Sequence, residues 1–180
     1  MRLLPEDTML FVVDMQEKLV PAMYEKEKLE ERNDMLIEGI RLMEMPIMIS
    51  QQYTKGLGSS LPSIYEAAGS VTYFEKNAFS CFRDENIRMA IENAHRKNIL
   101  VCGTEAHVCV LQTCIDLKAA GYNPVLVTDC ISSRSREDRK FGIIRAMQEG
   151  ILLTTAEAVL FELLQDSKSP YFKSISRLVK

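Results

Sequence analysis

The stretch MLFVVD, residues 9–14, joins five apolar residues directly to a carboxylate. An apolar run without alternating polar residues is typical of a strand in a parallel sheet that is covered on both faces. Similar short runs begin near residues 47, 71, 98, 124 and 151. The sequence therefore predicts six strands, of which the run 98–103 is the most apolar.

Amphipathic segments separate these apolar runs. Apolar side chains recur at helical spacing from Leu29 to Met43, and Pro46 ends that helix. Thr155 is expected to cap the last helix, and the residues after Ser167 are expected to be loosely held. Residues 51–62 are predicted as a loop, and further helices are predicted at about 84–95, 106–120, 135–148 and 155–164. Alternating strands and helices predict a three-layer α/β/α sandwich, because right-handed crossovers place helices on both faces of a mostly parallel sheet.

Length and charge narrow the classes of function. The 180 residues predict a single domain spanning residues 1–180. The 22 basic and 25 acidic residues leave a net charge of -3, without the basic footprint of a nucleic-acid-binding protein. No run of about 18 apolar residues is present, and the first ten residues do not resemble a signal peptide. We therefore expect no nucleic-acid partner and no membrane partner.

Cysteine and histidine content bears on compartment and on metal binding. The five cysteines are odd in number and form no C-x-x-C pair, which favours reduced thiols in the cytoplasm over a disulfide framework. The chain has only two histidines, His95 and His107, so a zinc or iron site would depend on carboxylates and thiols. Gly56 and Gly58 are too few for a phosphate-binding loop. A cytoplasmic protein without a metal or another cofactor is predicted.

Three reactive side chains follow predicted strands, where ligands of such sheets bind. Asp14 is either a partly buried general base or a cap that accepts backbone N–H groups. Lys76 either orients Asp14 by its charge or pairs with Glu75 at the surface. Cys109 begins a helix, whose N-terminus would lower the pKa of a thiol, although an inert core cysteine is the alternative. Their common placement at carboxyl ends of strands favours one site.

Five motifs identify a resemblance. They are FVVDMQ (11–16), QQYTKGLG (51–58), YFEKNAFSCF (73–82), CGTEAHVCVLQTCIDL (102–117) and TDCISSRSREDR (128–139). Occurring in this order over nearly the whole chain, they resemble the isochorismatase-like cysteine hydrolase superfamily, and most of all its isochorismatase domain-containing and YcaC-like members. The resemblance implies a six-stranded sheet in the order 3-2-1-4-5-6, and dimers or larger homo-oligomers.

The resemblance also implies roles for particular residues. Asp14, Lys76 and Cys109 match an Asp–Lys–Cys triad, in which the acid takes the thiol proton, the lysine steadies the charges and the sulfur attacks carbon. A cis peptide of the family falls here at Thr104–Glu105. The amides of Glu105 and Cys109 would then stabilise an oxyanion.

Two departures from the superfamily narrow the implied activity. Nicotinamidases carry an Asp-x-His metal motif where this chain reads Gln51-Gln52-Tyr53. True isochorismatases lack the cysteine that this chain has as Cys109. The resemblance therefore implies a metal-independent cysteine hydrolase that acts on a small amide or carbamoyl C–N bond.

Four further residues are candidates for the substrate pocket: Gln16, Tyr53, Phe79 and His107. Gln16 is expected to hydrogen-bond a substrate or the Asp14 loop, with a contact at a helix start as the alternative. For Tyr53 and Phe79 the alternative is simple packing. For His107 the alternative is exposure at a helix start.

Two other functions remain open from the sequence. The chain could be a catalytically silent scaffold that keeps the fold and binds a metabolite or partner. A thiol redox role is the third hypothesis, for which the sequence alone identifies no resolving cysteine for Cys109.

Overall fold

The computed structural model describes all 180 residues, and its centre is a six-stranded sheet in which every neighbouring pair is parallel. The order is β3-β2-β1-β4-β5-β6, as expected. The strands are β1 (Thr8–Val13), β2 (Ile47–Gln52), β3 (Thr72–Lys76), β4 (Asn98–Thr104), β5 (Asn123–Ser132) and β6 (Leu152–Thr154).

Helices cover both faces of the sheet. They are α1 (Lys26–Leu42), α2 (Thr54–Leu57), α3 (Pro62–Ala68), α4 (Glu85–Asn93), α5 (Leu111–Ala119), α6 (Arg136–Gln148), α7 (Ala156–Leu164) and α8 (Phe172–Leu178). A π-helical turn, Ala106–Val110, leads directly into α5, and the short 3-10 turn Cys81–Arg83 precedes α4. No helix is both long enough and apolar enough to cross a bilayer.

The apolar side chains form two core clusters, one on each side of the sheet. Strand β1 contributes to both because successive side chains of a strand point to opposite faces. Leu10 and Val12 pack with the apolar faces of α1 and α7. Phe11 and Val13 pack with side chains of α4 and α5. Burial on both sides explains the unbroken apolar run that opens the sequence.

Two expectations about the C-terminal third were wrong. Residues after Ser167 are not loosely held, since they include α8, whose Ile175 is fully buried against the first cluster. Thr155 makes no capping hydrogen bond at the start of α7. The amide of Ala156 donates instead to Oδ1 of Asp129 at 2.8 Å, so a carboxylate from β5 replaces the local cap.

The predicted loop 51–62 also differs from the structure. Its first two residues extend β2, its centre forms α2, and Pro62 begins α3. This extension carries Gln52 into register with Lys76 of β3.

Strands β1 and β4 approach closely at Gly103. This glycine has a φ of +105°, and a Cβ at this position would overlap the carbonyl oxygen of Val13. A residue without a side chain is therefore required beside the end of β1. The close approach holds the end of β4 next to Asp14.

Candidate active site

The carboxyl ends of β1, β3 and β4 hold the three predicted reactive residues. Asp14 follows β1, Lys76 is the last residue of β3, and Cys109 lies in the π-helical turn after β4. In the strand order, β2 separates β3 from β1, so the two backbones are about 9–10 Å apart. Only a long side chain reaches across that gap, and Lys76 supplies it.

Lys76 and Asp14 form a buried ion pair. The Lys76 Nζ lies 2.7 Å from Oδ2 of Asp14, and neither side chain is exposed. The ammonium also donates to Oε1 of Gln52 at 2.6 Å and to the carbonyls of Ala78 and Phe79 at 3.2 and 3.3 Å. Burial acts to lower the pKa of Lys76, but the acidic groups around it outweigh burial and raise that pKa overall. Lys76 is therefore a fixed positive charge.

Hydrogen bonds hold both the side chain and the backbone of Asp14 in place. Its Oδ1 accepts a hydrogen bond from the Ser50 hydroxyl of β2 at 2.7 Å. Its backbone carbonyl accepts one from the Thr104 hydroxyl at 2.8 Å, and its amide donates to the Ser50 carbonyl. The residue has a φ of +49°, a left-handed conformation that turns the chain sharply after β1. The carboxylate is thereby fixed over the strand ends.

Cys109 is the reactive residue of this group that reaches the surface, with 8% of its area exposed. Burial and the charge of Asp14 together raise the pKa of its thiol to about 12, although the charge of Lys76 acts to lower that pKa. The expectation of a lowered thiol pKa was therefore wrong. The adjacent carboxylate and burial outweigh the helix start, and the resting site contains a protonated thiol beside an acceptor.

The peptide bond between Thr104 and Glu105 is cis, as the resemblance implied. The Glu105 amide donates to no acceptor in the structure. The Glu105 carbonyl accepts from the amides of Val108 and Val110, at 3.0 and 3.2 Å, but not from that of Cys109. The π-helical turn thus leaves the amides of Glu105 and Cys109 outside this hydrogen-bonding pattern.

The chain matches a known protein family over most of its length. The isochorismatase domain matches residues 8–158, which include the whole group of strand ends. The chain belongs to the isochorismatase family. Its six-stranded parallel sheet is the isochorismatase-like hydrolase fold.

Curated isochorismatase-family relatives match nearly all of the chain. The secreted isochorismatase effector Isc1 of Phytophthora sojae is 36% identical, over 99% of this chain and 87% of that protein. Isochorismatase domain-containing protein 1 of Salmo salar is 35% identical over 99% of this chain. The chain spans 62% of the length of the salmon protein.

Solved structures share the fold of this chain. The structure titled MAR1 ribonuclease from Caenorhabditis elegans superposes with a TM-score of 0.94 at 35% identity, over 99% of this chain and 92% of that one. The YcaC gene product of Escherichia coli, described as an octameric hydrolase of unknown specificity, gives a TM-score of 0.93 at 20% identity, over 98% and 88%.

The four predicted pocket residues occupy different positions around this isochorismatase-family site. Gln16 is fully buried, and its amide group bonds only to backbone: its Nε2 donates to the carbonyls of Gln52 and Gly58, and its Oε1 accepts from the Gln52 amide. The structure thus favours a role in holding the end of β2. Tyr53 and Phe79 are 49% and 58% exposed, so both form part of the surface near Lys76.

His107 lies two residues before Cys109 in the π-helical turn and is partly exposed. Its Nδ1 lies 2.9 Å from the hydroxyl of Ser133, which is fully buried at the end of β5. Helix α6 contacts this turn through Gly142, where a Cβ would lie 3.0 Å from the His107 amide. The contact with Ser133 therefore orients the His107 imidazole.

Four residues of the site were missed by sequence reasoning: Ser50, Gln52, Cys81 and Thr113. Ser50 and Gln52 are ordinary polar residues at the end of β2, and their importance comes from contact with Asp14 and Lys76. Their placement at the carboxyl end of a predicted strand was the only signal available in the sequence. Cys81 and Thr113 lie on the α4–α5 side of the sheet. Thr113 is four residues after Cys109 in a predicted helix, a spacing that places the two side by side, whereas nothing indicated that Cys81 lies near Cys109.

The structure contains no group of three or more histidine, cysteine or acidic side chains that is able to hold a metal ion. A run of mixed charge surrounds the start of α6 and consists of Arg134, Arg136, Glu137, Asp138 and Arg139. The Ser135 hydroxyl accepts from the Asp138 amide at 3.0 Å, and Arg134 pairs with Glu105 at 3.1 Å.

Proposed function

We propose that the chain is a metal-independent cysteine hydrolase that cleaves small amide or carbamoyl C–N bonds through Asp14, Lys76 and Cys109. One observation carries the proposal: a buried carboxylate, fixed by a buried lysine at 2.7 Å, lies beside the Cys109 thiol, which reaches the surface. Such a thiol has a base beside it and a positive charge nearby that favours the thiolate as it forms.

The first half-reaction begins when Asp14 accepts the Cys109 proton. The sulfur then attacks the carbonyl carbon, and the electron pair of the C=O bond moves to oxygen. Collapse of this intermediate breaks the C–N bond, and the amine leaves with the proton that Asp14 holds. A thioester remains on Cys109.

In the second half-reaction, Asp14 takes a proton from water. The resulting hydroxide attacks the thioester carbon, the C–S bond breaks, and the thiolate recovers the proton from Asp14. Lys76 keeps its proton throughout, because its pKa is raised above the ordinary value. Its role is to fix Asp14 and to stabilise the negative charge that moves between oxygen and sulfur.

The amides of Glu105 and Cys109 would stabilise the oxyanion. Supporting this role, the Glu105 amide donates to no acceptor, and the Cys109 amide does not donate to the Glu105 carbonyl. Loss of one oxyanion donor typically lowers kcat about 10²–10³-fold. Because only 8% of Cys109 is exposed, the substrate should be a small molecule.

The proposal is tested with a panel of small amides, ureas and carbamoyl compounds, following release of ammonia or amine. We expect turnover by the wild-type protein and none by Cys109→Ala or Lys76→Met. Cys102→Ala is the matched control, since Cys102 lies on the opposite face of the sheet and should retain activity. Full turnover by Cys109→Ala would overturn the mechanism.

RNA cleavage is the second candidate, favoured by the 35% identity to the C. elegans protein titled a ribonuclease. The net charge of -3 is unfavourable for RNA binding. An RNA substrate therefore belongs in the same panel. RNA cleavage that requires Cys109, with no release of amine from any compound, would replace the C–N assignment. No reaction with either class would favour the silent scaffold.

We also infer that copies of the chain associate. Large apolar side chains are exposed on α6, β6 and α7, namely Phe141, Met147, Leu152, Leu153 and Phe161. Exposed apolar surface of this kind supports a protein interface. Light scattering coupled to size exclusion should give a mass above 20.5 kDa, and a strictly monomeric mass would contradict the inference.

The proposed compartment is the cytoplasm. All five cysteines are free in the structure, which suits a reducing environment. Fractionation of the source cells with immunodetection tests this, and detection only outside the cells, as the name of the Phytophthora relative describes for that protein, would contradict it.

A further inference from the structure

Three thiols lie in the same core cluster behind the site: Cys81, Cys109 and Cys114. The hydroxyl of Thr113 connects the first two, because it accepts from the Cys81 amide at 2.9 Å and donates to the Cys109 carbonyl at 2.7 Å. Both thiols also raise the pKa of Lys76, and Cys81 raises the pKa of Cys109. The two sulfurs therefore border the same lysine–carboxylate pair.

A hydrogen-bond path connects Cys81 to Asp14. The Ser50 Oγ lies 3.4 Å from the Cys81 sulfur and donates to Oδ1 of Asp14 at 2.7 Å. Since the Ser50 proton is directed at the carboxylate, Cys81 is the donor in its contact with Ser50. A proton on the Cys81 sulfur thus has a route through Ser50 to Asp14.

The three thiols differ in access. Cys81 and Cys114 are completely buried, whereas Cys109 retains 8% exposure. A small oxidant from solution therefore reacts with Cys109 first. The other two thiols can react only with the oxidised form of Cys109.

We propose that Cys81 is a resolving cysteine for Cys109, so that a hydroperoxide converts the pair to a reversible intramolecular disulfide and blocks the nucleophile. The proposal goes beyond the hydrolase assignment and does not require turnover. It depends only on a Cys109 thiol that is accessible and has Asp14 beside it.

The chemistry proceeds in two balanced steps. Asp14 accepts the Cys109 proton, the sulfur attacks one peroxide oxygen, and the O–O bond breaks to give a sulfenic acid and hydroxide, which takes the proton and leaves as water. The Cys81 sulfur then attacks the Cys109 sulfur while its proton passes through Ser50 to Asp14. The S–O bond breaks, the leaving hydroxide takes that proton, and a second water is released. The two thiols lose two electrons and the peroxide gains them.

Tryptic peptides separate the relevant cysteines. Residues 77–83 contain only Cys81, whereas residues 98–118 contain Cys102, Cys109 and Cys114. The purified protein is treated with a small excess of hydrogen peroxide, unfolded in the presence of iodoacetamide so that the buried thiols are also blocked, and digested without reductant. We expect a peptide that links 77–83 to 98–118, with fragmentation placing the bond at Cys109, and its loss after dithiothreitol.

Cysteine variants distinguish Cys81 from Cys114 as the resolving residue. Cys114→Ala should still form the bond. Cys81→Ala should form no linked peptide and should instead accumulate the sulfinic or sulfonic acid at Cys109, because nothing resolves the sulfenic acid. The proposal is overturned if peroxide leaves the thiols unlinked, if the bond is to Cys114, or if Cys109 in the Cys81→Ala protein resists over-oxidation. These readouts are covalent masses, so they distinguish failure of this proposal from absence of hydrolase activity.

Discussion

The Lys76 Nζ lies 2.7 Å from Oδ2 of Asp14, and neither side chain exposes any surface to water. Two charges out of water are costly unless each is paired and hydrogen-bonded. Here Gln52 and two backbone carbonyls accept hydrogen bonds from the Lys76 ammonium, and the Ser50 hydroxyl donates one to the Asp14 carboxylate. The pair is therefore a fixed polar centre at the carboxyl edge of the sheet.

Breaking this ion pair should cost stability. Lys76→Met leaves the Asp14 carboxylate buried without its partner, and we expect the free energy of unfolding to fall by about 3–5 kcal/mol in urea denaturation. The double variant with Asp14→Asn should lose less than the sum of the two single variants. Lys26→Met removes a 3.9 Å surface pair with Glu27 and should change stability by less than about 1 kcal/mol. Equal effects of the two lysine substitutions would contradict the buried pair.

The contact between β1 and β4 predicts a strong effect at Gly103. In Gly103→Ala the new Cβ would overlap the Val13 carbonyl, and the φ of +105° is unfavourable for alanine, so we expect loss of the fold or a destabilisation above about 3 kcal/mol. Gly121→Ala is the matched control. Gly121 also has a positive φ, of +88°, but a Cβ there would have no neighbour closer than 3.9 Å. Its cost should be about 1–2 kcal/mol. Similar unfolding curves for the two variants would argue against the close approach.

The raised pKa of Cys109 predicts how alkylation of this thiol depends on pH. With a pKa of about 12, the thiolate fraction should rise about tenfold per pH unit from pH 7 to about pH 10, without a plateau. Asp14→Asn removes a negative charge that raises this pKa, so this variant should be alkylated faster at pH 8 although it should not turn over substrate. Peptide mass spectrometry with iodoacetamide resolves the site. A plateau below pH 8.5 in the wild-type protein would show that the thiolate already exists at rest.

Asp34 of α1 predicts a pH-dependent stability change. Burial is the main cause that raises its pKa to about 6; the Ser63 hydroxyl acts to lower that pKa, and the charges of Glu30, Glu66 and Glu38 act with burial. The fold thus prefers the protonated acid, a contribution that is complete below about pH 4 and is lost as the pH rises through about 6.

Asp34→Asn should therefore stabilise the protein at pH 7–8, by about 1–2 kcal/mol after allowance for partial solvent exposure. The difference should shrink towards zero near pH 4. Urea denaturation at several pH values measures it, and a difference that is constant or grows towards acid would contradict the sign.

The fold was predictable because short apolar runs recur along the chain and the breaks between them are clear. Helix α8 was missed although Phe172, Ile175 and Leu178 recur at helical spacing, because charged and hydroxyl side chains separate these apolar residues. The cap of α7 was misassigned because the true acceptor, Asp129, is distant in sequence and comes from β5. Contacts of this kind depend on tertiary packing and leave no local pattern.

The site was predictable in position but not in detail. Asp14, Lys76 and Cys109 follow strands, and this placement is visible in the sequence. Their contact depends on strand order and on the reach of the lysine across β2, which require the assembled sheet. The direction of the Cys109 pKa shift was wrong for the same reason, because burial and a neighbouring carboxylate are properties of the folded site.

The central claim is that Cys109 forms a covalent acyl intermediate with the help of Asp14 and Lys76. The most direct test mixes the protein with p-nitrophenyl acetate and follows nitrophenolate release together with the mass of the peptide 98–118. We expect a rapid stoichiometric burst with the acetyl group on Cys109, a much slower burst in Lys76→Met, and none in Cys109→Ala. An equal burst in Cys109→Ala, or acetylation of another residue at the same rate, would contradict the account.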